Sequence, residues 1–274
     1  MKEIIDVLVK NGYEAYIVGG YVRDYLLGVE SKDIDICTNA PIEVIMKLFK
    51  GRGIAFRQYY AFHIDENGYS YDITSYRKEL RYRRNKPSEI ALAKDLATDL
   101  LRRDFTINTL AIDPNGRLVD LLGAMKDINA KVLKVVGDTD KKLREDKTRI
   151  IRAIRFACTL DFDLSAEILD FISSKRVHLV NEIPGEYKKD ELDKIFDSKN
   201  YYKFFFFIKR YSLEKYFNIH AYPEINSIKQ TYNRYGIWAQ IDTSLPFSNK
   251  EKKIISDIIK IVKSGDIDVN DISK

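Results

Sequence analysis

The chain is 274 residues long, 45% hydrophobic and 12% aromatic, with 46 Lys and Arg against 41 Asp and Glu for a net charge of +5. That length and apolar content bury a sizeable core in two or three modules and exclude a disordered chain, while the modest basic excess permits a nucleic-acid partner without arguing for one by itself. Cys37 and Cys158 are the only cysteines and each sits inside an apolar run, so neither a disulfide framework nor a cysteine zinc site is supported, and a reducing cytoplasm is the expected home.

Residues 2–10 place Ile4, Ile5, Val7, Leu8 and Val9 on a short amphipathic helix ended by Asn11-Gly12. Its interspersed charges are unlike a signal peptide, and no apolar stretch of the chain reaches membrane-spanning length. EAYIVGG then reads as a buried strand that breaks at Gly19-Gly20, and a short amphipathic helix follows before a second strand, DIDICT. Glycines without Cβ let backbone N–H groups approach a polyphosphate, and Arg23 can add charge-assisted hydrogen bonds to the same anion. A nucleoside triphosphate fits that pattern. On the second strand the period of two sends Asp33 and Asp35 to one face and Ile34 and Ile36 to the core, so two hard oxygen donors suited to Mg²⁺ converge without a loop to position them.

A core helix is expected over Ile42, Ile45, Met46 and Phe49, capped by Thr38 or Asn39 with Pro41 in its first turn. RQYYAFHID and YSYDITSYR flank Glu66-Asn67-Gly68, and Asn-Gly between alternating strands predicts a hairpin. Asp72 lies on the returning strand with Ser70 and Thr74 on its face, where an ordinary exposed aspartate is one reading. His63, His178 and His220 show no metal-ligand spacing, so packing or surface roles are expected and no histidine chemistry is proposed. The basic run RKELRYRRNKP, Arg77 to Pro87, reads first as a solvated face. In RRDFTINTLAID, Asp104 and Asn108 fall on one face if that segment is helical. Gly116-Arg117 is a turn, and Leu118 to Leu122 a buried strand or helix. KKLREDKTRIIRAIRFACTLDFDLS reads as one helix, with Ile150, Ile154, Ala157 and Cys158 as its apolar stripe. Glu145, Asp146, Arg149 and Arg152 occupy its other side, which a ladder of exposed ion pairs would explain. DLSAEILDFI and YKKDELDKIF are amphipathic, and YYKFFFFIKRY is a core segment too short to span a bilayer.

The string GGYVRDYLLGVESKDIDICT resembles the signature GGxVRDxLLG followed by DxD of the tRNA nucleotidyltransferase and poly(A) polymerase family, in its bacterial and eukaryotic branch. RRDFTIN is similar to that family's second motif, EDKTR to its EDxxR, and YKKDELDKIF to its fifth motif, although Tyr187 stands where the family has Arg. The resemblance covers about residues 12–195, and the basic run is similar to a flexible loop of the CCA-adding type. It implies that Asp33 and Asp35 hold two Mg²⁺ ions, with Asp72 as a third catalytic carboxylate. Gly19, Gly20, Arg23 and Arg103 would hold the phosphates, and Asp104 and Asn108 the ribose 2′-hydroxyl. Asp146 and Arg149 would read the base edge, with Arg152 and Arg155 completing the nucleotide-binding set. Arg77, Arg81, Arg83 and Arg84 would contact RNA.

The fold so implied is α+β, a small mixed-sheet nucleotidyltransferase head over residues 1–122, then an all-helical neck over 123–185 and a helical body with a shortened C-terminal region over 186–274. The implied function is template-independent addition of CCA to the 3′ end of tRNA, with CTP and ATP as substrates and no membrane partner. An acceptor-only carboxylate beside a donor-only guanidinium complements the amino group and ring nitrogen that C and A share. A CC-adding or A-adding partial enzyme, a poly(A) polymerase and a catalytically silent RNA-binding protein are the alternatives.

Overall fold

The computed structural model describes residues 2–229, 231 and 233–264. The chain divides into two compact units after Asp146. Residues 123–146, expected in the neck, therefore belong with the head. The reason is direct bonding: Thr106 Oγ1 donates to the Asp127 carboxylate at 2.6 Å, and the Val136 amide donates to the Asp104 carbonyl at 3.0 Å.

The first unit runs α1 (Lys2–Lys10), β1 (Ala15–Val18), α2 (Gly20–Leu26), β2 (Asp33–Thr38), α3 (Ile42–Leu48), β3 (Ile54–Phe56), β4 (Ala61–Glu66) and β5 (Tyr69–Ser75). It continues with β6 (Arg77–Arg83), β7 (Lys86–Leu92), α4 (Leu96–Leu101), β8 (Ala111–Ile112), β9 (Leu118–Val119), α5 (Ala124–Asn129) and α6 (Thr139–Glu145). Seven strands form one sheet in the order β3-β4-β5-β2-β1-β8-β9. β2 and β5 run parallel, and the other pairs are antiparallel. The sheet is thus mixed, as expected.

The alternation on β2 decides what each sheet face does. Ile34 and Ile36 are buried at 2% and 1% exposure, on the opposite face from Asp33 and Asp35. Cys37, on the aspartate face, joins a small core with Val18, Tyr76, Leu96, Leu100 and Ala111. That core seals one end of the face and leaves the end bearing the two aspartates accessible to solvent. Leu118 and Leu121 are exposed, contrary to the burial expected for that segment, because β9 is an edge strand of two residues and Leu121 lies in the bend that follows it.

The second unit comprises α7 (Thr148–Leu160), α8 (Ala166–Ser173), α9 (Gly185–Phe196), α10 (Tyr202–Tyr211), α11 (Arg234–Trp238) and α12 (Asn249–Ser264). It is helical but for short extended segments, of which Ile219–Ala221 and Asp242–Thr243 pair as a ribbon. Phe196 is the hub of its core, with Trp238 edge-on at 4.7 Å and Phe205 stacked at 5.7 Å between ring centroids. YYKFFFFIKRY is indeed a packed helix, although Phe206 stays exposed. Both cysteines are free and buried, and burial pushes the Cys158 thiol up to about 12. Among the described residues no helix is long and apolar enough to cross a membrane.

Candidate active site

The site is assembled where β1 ends beside β2. Val18 lies opposite Asp35, so the chain reversal at Gly19 is held next to that carboxylate. Gly19 has φ +80°, and a Cβ built there would lie 2.5 Å from Asp35 Oδ2 and 3.0 Å from Arg103 Nη1. Only glycine tolerates both that backbone and that crowding. Arg103 Nη1 stands 4.0 Å from Asp35 Oδ2, and its Nη2 stands 3.5 Å from Asp99 Oδ2. Asp99 is fully buried on α4, whose first turn is capped by Asp95 accepting from the Thr98 amide at 2.8 Å. It also takes Arg102 Nε at 2.8 Å and the Arg77 amide at 3.2 Å. Burial alone would push the Asp99 carboxyl up, but Arg102 and Arg103 hold it below the usual carboxylate range. For Asp35 burial wins over Arg103, and the neighbouring Asp72 carboxylate adds to the upward shift.

Arg23 and the RRDFTIN segment meet on the other side of Gly19-Gly20. Arg23 is buried, and its Nη1 donates to Asn108 Oδ1 at 2.6 Å. Asn108 Nδ2 donates in turn to Asp104 Oδ1 at 2.9 Å. The segment Thr106–Asn108 is a single 3₁₀ turn rather than an α-helix, and that turn brings Asp104 and Asn108 together as expected. The result is a pre-formed polar cradle with cationic and amide groups, suited to the phosphates and sugar of a nucleotide.

Asp72 pairs in register with Asp35 on one side and with His63 on the other. His63 Nδ1 lies 2.8 Å from Asp72 Oδ1 and Nε2 lies 3.1 Å from Asp65 Oδ2. The bond to Asp72 raises the His63 pKa above its ordinary value. Beside this row opens a cavity of about 560 Å³ that reaches from Asp35 and Arg103 to Phe56, Tyr59 and Arg77. Tyr59, Asp99 and Arg102 carry no signal in the sequence, and His63, expected in a packing or surface role, is instead bonded to Asp72. The Asn67-Gly68 turn did carry the signal for His63, since a two-residue turn fixes His63 opposite Asp72.

The basic run is not an irregular loop. β6 and β7 form an antiparallel ribbon closed by Arg84-Asn85, both at positive φ. Arg81 is exposed and pairs with Glu89 at 3.2 Å, and Arg83 and Arg84 are exposed at the tip. Arg77, unlike these three, is half-buried. Its side chain is tucked against the Tyr59 carbonyl and Glu79, and burial beside Arg102 lowers its pKa to about 10.

The neck expectation also needs correction. Asp146 is extended, with φ −134° and ψ 97°, between α6 and α7, so it and Arg149 do not lie one turn apart on a single helix. Aspartate is a poor interior helix residue, because its short carboxylate competes for nearby backbone groups, and a break in the helix falls there. Arg149 is buried at 4% exposure rather than on an exposed ladder. Arg155 Nε donates to the buried Glu191 at 2.6 Å and its guanidinium stacks on Phe156, a bond that holds α7 on α9. Arg152 lies over the same ring at 5.6 Å, and Tyr187 hydrogen-bonds to it.

The donor set of Asp33 and Asp35 fits a divalent metal ion. Both carboxylates are on one accessible strand face, and the like charge around Asp35 is what a cation would relieve. No three His, Cys, Asp or Glu side chains among the described residues close into a ligand cluster. Mg²⁺ needs none, since one or two carboxylates together with substrate phosphates suffice.

The poly A polymerase head domain family matches residues 15–134. The CCA-adding enzyme of Bacillus pumilus (strain SAFR-032) is 40% identical over 193 residues, 70% of this chain and 48% of that protein. The CCA-adding enzyme of Streptococcus pyogenes serotype M2 (strain MGAS10270) is 38% identical over 195 residues, with the same 70% and 48%. The chain thus spans about half the length of these relatives. Among solved structures, the Bacillus stearothermophilus CCA-adding enzyme in complex with CTP superposes with a TM-score of 0.82 at 27% identity, covering 97% of this chain and 69% of that one. The Thermotoga maritima CCA-adding enzyme complexed with tRNA shares the fold, with a TM-score of 0.70 at 21% identity over 96% of this chain and 68% of that one. Divalent metal ions are general to the family. With the GGxVRD, DxD and RRDFTIN segments all gathered into one site, the chain belongs to the tRNA nucleotidyltransferase and poly(A) polymerase family, and the relatives it matches are CCA-adding members.

Proposed function

We propose that this protein is a template-independent nucleotidyltransferase that adds C and A to the 3′ end of tRNA, using CTP and ATP and releasing pyrophosphate. The observation that carries the reading is the contact of Gly19, Asp35 and Arg103 beside the Arg23–Asn108–Asp104 cradle, because it sets phosphate donors against an acidic strand. The names of the relatives over residues shared at 40% identity supply the substrate class.

Asp33 and Asp35 would hold two Mg²⁺ ions, which when bound acidify the attacking 3′-hydroxyl and offset charge on the phosphates. Arg23 and Arg103 bind and orient the triphosphate, each already fixed by carboxylate or amide partners, so little order is lost on binding. Asp104 and Asn108 select the ribose through its 2′-hydroxyl. Asp146 and Arg149 read the amino group and ring nitrogen common to C and A, a role that rests on the EDKTR motif. Asp72 stays ordered through His63 and belongs to the acidic row. The buried thiols of Cys37 and Cys158 fit a cytoplasmic protein.

The test is to incubate the protein with Mg²⁺, a tRNA transcript lacking its terminal CCA, and each nucleotide singly or in combination, then sequence the products. CCA formed from CTP with ATP supports the proposal. Arrest after CC, addition of A alone, or long A tracts would assign the partial-enzyme or poly(A) readings, and no extension at all would leave a silent RNA-binding protein.

A further inference from the structure

We propose that His63 is a positioning residue of the transfer reaction: by holding one oxygen of Asp72, it keeps that carboxylate beside Asp35 and off the phosphate-binding Arg103. The inference rests on the nucleotidyl transfer proposed above and assigns a part in it to a residue outside every motif that carries the family resemblance.

Register places the group. β4 pairs with β5 and β5 with β2, so His63, Asp72 and Asp35 stand side by side on adjacent strands. Antiparallel neighbours on one face bring their Cβ atoms to about 4.5–5.5 Å, which lets an imidazole reach a carboxylate with no distortion of the backbone. His63 Nδ1 lies 2.8 Å from Asp72 Oδ1, and Nε2 lies 3.1 Å from Asp65 Oδ2. Asp65 is two residues along β4 and so shares the face. On the remaining side His63 faces Ile54 of β3, which offers no competing bond. An ionised carboxylate only accepts, so a ring with one on each side donates from both nitrogens as the imidazolium, in keeping with its raised pKa. Asp65 thereby fixes the ring so that Nδ1 is the atom turned to Asp72.

Asp72 needs such an anchor. Its side chain is 55% exposed, and among the described residues its carboxylate makes no other hydrogen bond or ion pair. Arg77, Arg102 and Arg103 line the same cavity, and Arg103 already stands 4.0 Å from Asp35 Oδ2. An unanchored carboxylate beside three guanidinium groups pairs with one of them in some fraction of molecules, which takes a charge from the acidic row and a donor from the phosphates. Repulsion acts in the same direction. Asp72 adds to the upward shift of Asp35, so a cation on the far side of Asp72 favours the two carboxylates staying adjacent.

The test uses the full chain, Mg²⁺, CTP and a tRNA transcript lacking CCA. His63→Ala should lower the single-turnover rate at saturating substrates roughly tenfold or more, with KM for the transcript within about twofold of wild type. Asn carries its amide nitrogen where His carries Nδ1, and Gln carries it where His has Nε2. His63→Asn should therefore recover most of the rate and His63→Gln should not. In the Asp72→Asn background, His63→Ala should change the rate by less than about twofold, the non-additivity expected of one residue acting through another. His63 is partly exposed on the sheet face, so the thermal midpoint should stay near wild type; should His63→Ala fail to fold, the contrast between the Asn and Gln variants carries the test. A wild-type rate in His63→Ala or in Asp72→Asn, equal losses in the Asn and Gln variants, or an undiminished effect in the Asp72→Asn background overturns the assignment while leaving the transfer reaction standing. Failure of the wild-type protein to extend any RNA overturns both.

Discussion

Arg23 and Asn108, 85 positions apart in the chain, meet through a 2.6 Å hydrogen bond in which the buried guanidinium donates to the side-chain carbonyl. The same carboxamide donates to Asp104, so one residue orients both a cation and a carboxylate. Asn108→Ala removes an acceptor from buried Arg23 and should cost about 1–3 kcal/mol of stability. It should also narrow the preference for CTP over 2′-deoxy-CTP. Denaturant unfolding and kcat/KM for the two nucleotides measure the effects, and an unchanged sugar preference would remove the ribose role.

Gly19→Ala tests the crowding at the end of β1. The added methyl would meet Asp35 Oδ2 at 2.5 Å on a backbone with φ +80°, so either the turn or the carboxylate must move. A shift of even an ångström at such a site costs about 10²-fold in rate. A loss of that order in kcat, with the thermal midpoint lowered only modestly, is the expected result. Near-normal turnover would mean that Asp35 need not be where it is.

Asp99 should make stability depend on acid. Its folded-state pKa is depressed, so the unfolded chain takes up its proton first as pH falls. Its contribution is therefore complete well above the unfolded value of about 3.9, and is lost as pH drops from there through the lower folded value. Asp99→Asn should be less stable at neutral pH, by about 3–5 kcal/mol if the arginines are left uncompensated. Its stability should also fall less steeply below about pH 4 than that of wild type. Parallel curves for the two proteins would show that Asp99 is not the group responsible.

The exposed arginines of the β6–β7 ribbon should contribute to RNA affinity more than to nucleotide binding. Replacing Arg81, Arg83 and Arg84 by Gln should reduce the slope of log affinity against log salt by roughly 0.7 for each single-strand phosphate left without its arginine. KM for CTP should not change. An unaltered salt slope would return the ribbon to a solvated role.

Much of the site is written in local sequence. Period-two burial fixes Asp33 and Asp35 on one face, and Asn67-Gly68 fixes the hairpin that carries Asp72, because both follow from geometry of a few adjacent residues. The β6–β7 ribbon was not legible in the same way. Its turn is Arg84-Asn85, which adopts the positive φ values of an Asn-Gly turn without the glycine that signals it. The break at Asp146 was hidden by charges spaced three and four apart, a pattern that continues across two helices as readily as along one. Asp99 was passed over because its burial and its bond to the Arg77 amide are tertiary: Arg102 and Arg103 lie three and four residues on, but nothing in LATDLL says that a second segment will bring Arg77 to the same carboxylate.

The central claim is that the carboxylates of β2 drive nucleotide transfer, and single-turnover addition of CTP to a tRNA transcript lacking CCA by Asp33→Asn and Asp35→Asn measures it most directly. Both side chains keep their size and neither lies in the apolar core, so thermal unfolding should be close to wild type. Loss of several kcal/mol of transition-state stabilisation predicts a rate reduced by about 10³-fold or more in each variant. Folded variants that transfer CTP within about tenfold of the wild-type rate would contradict the account.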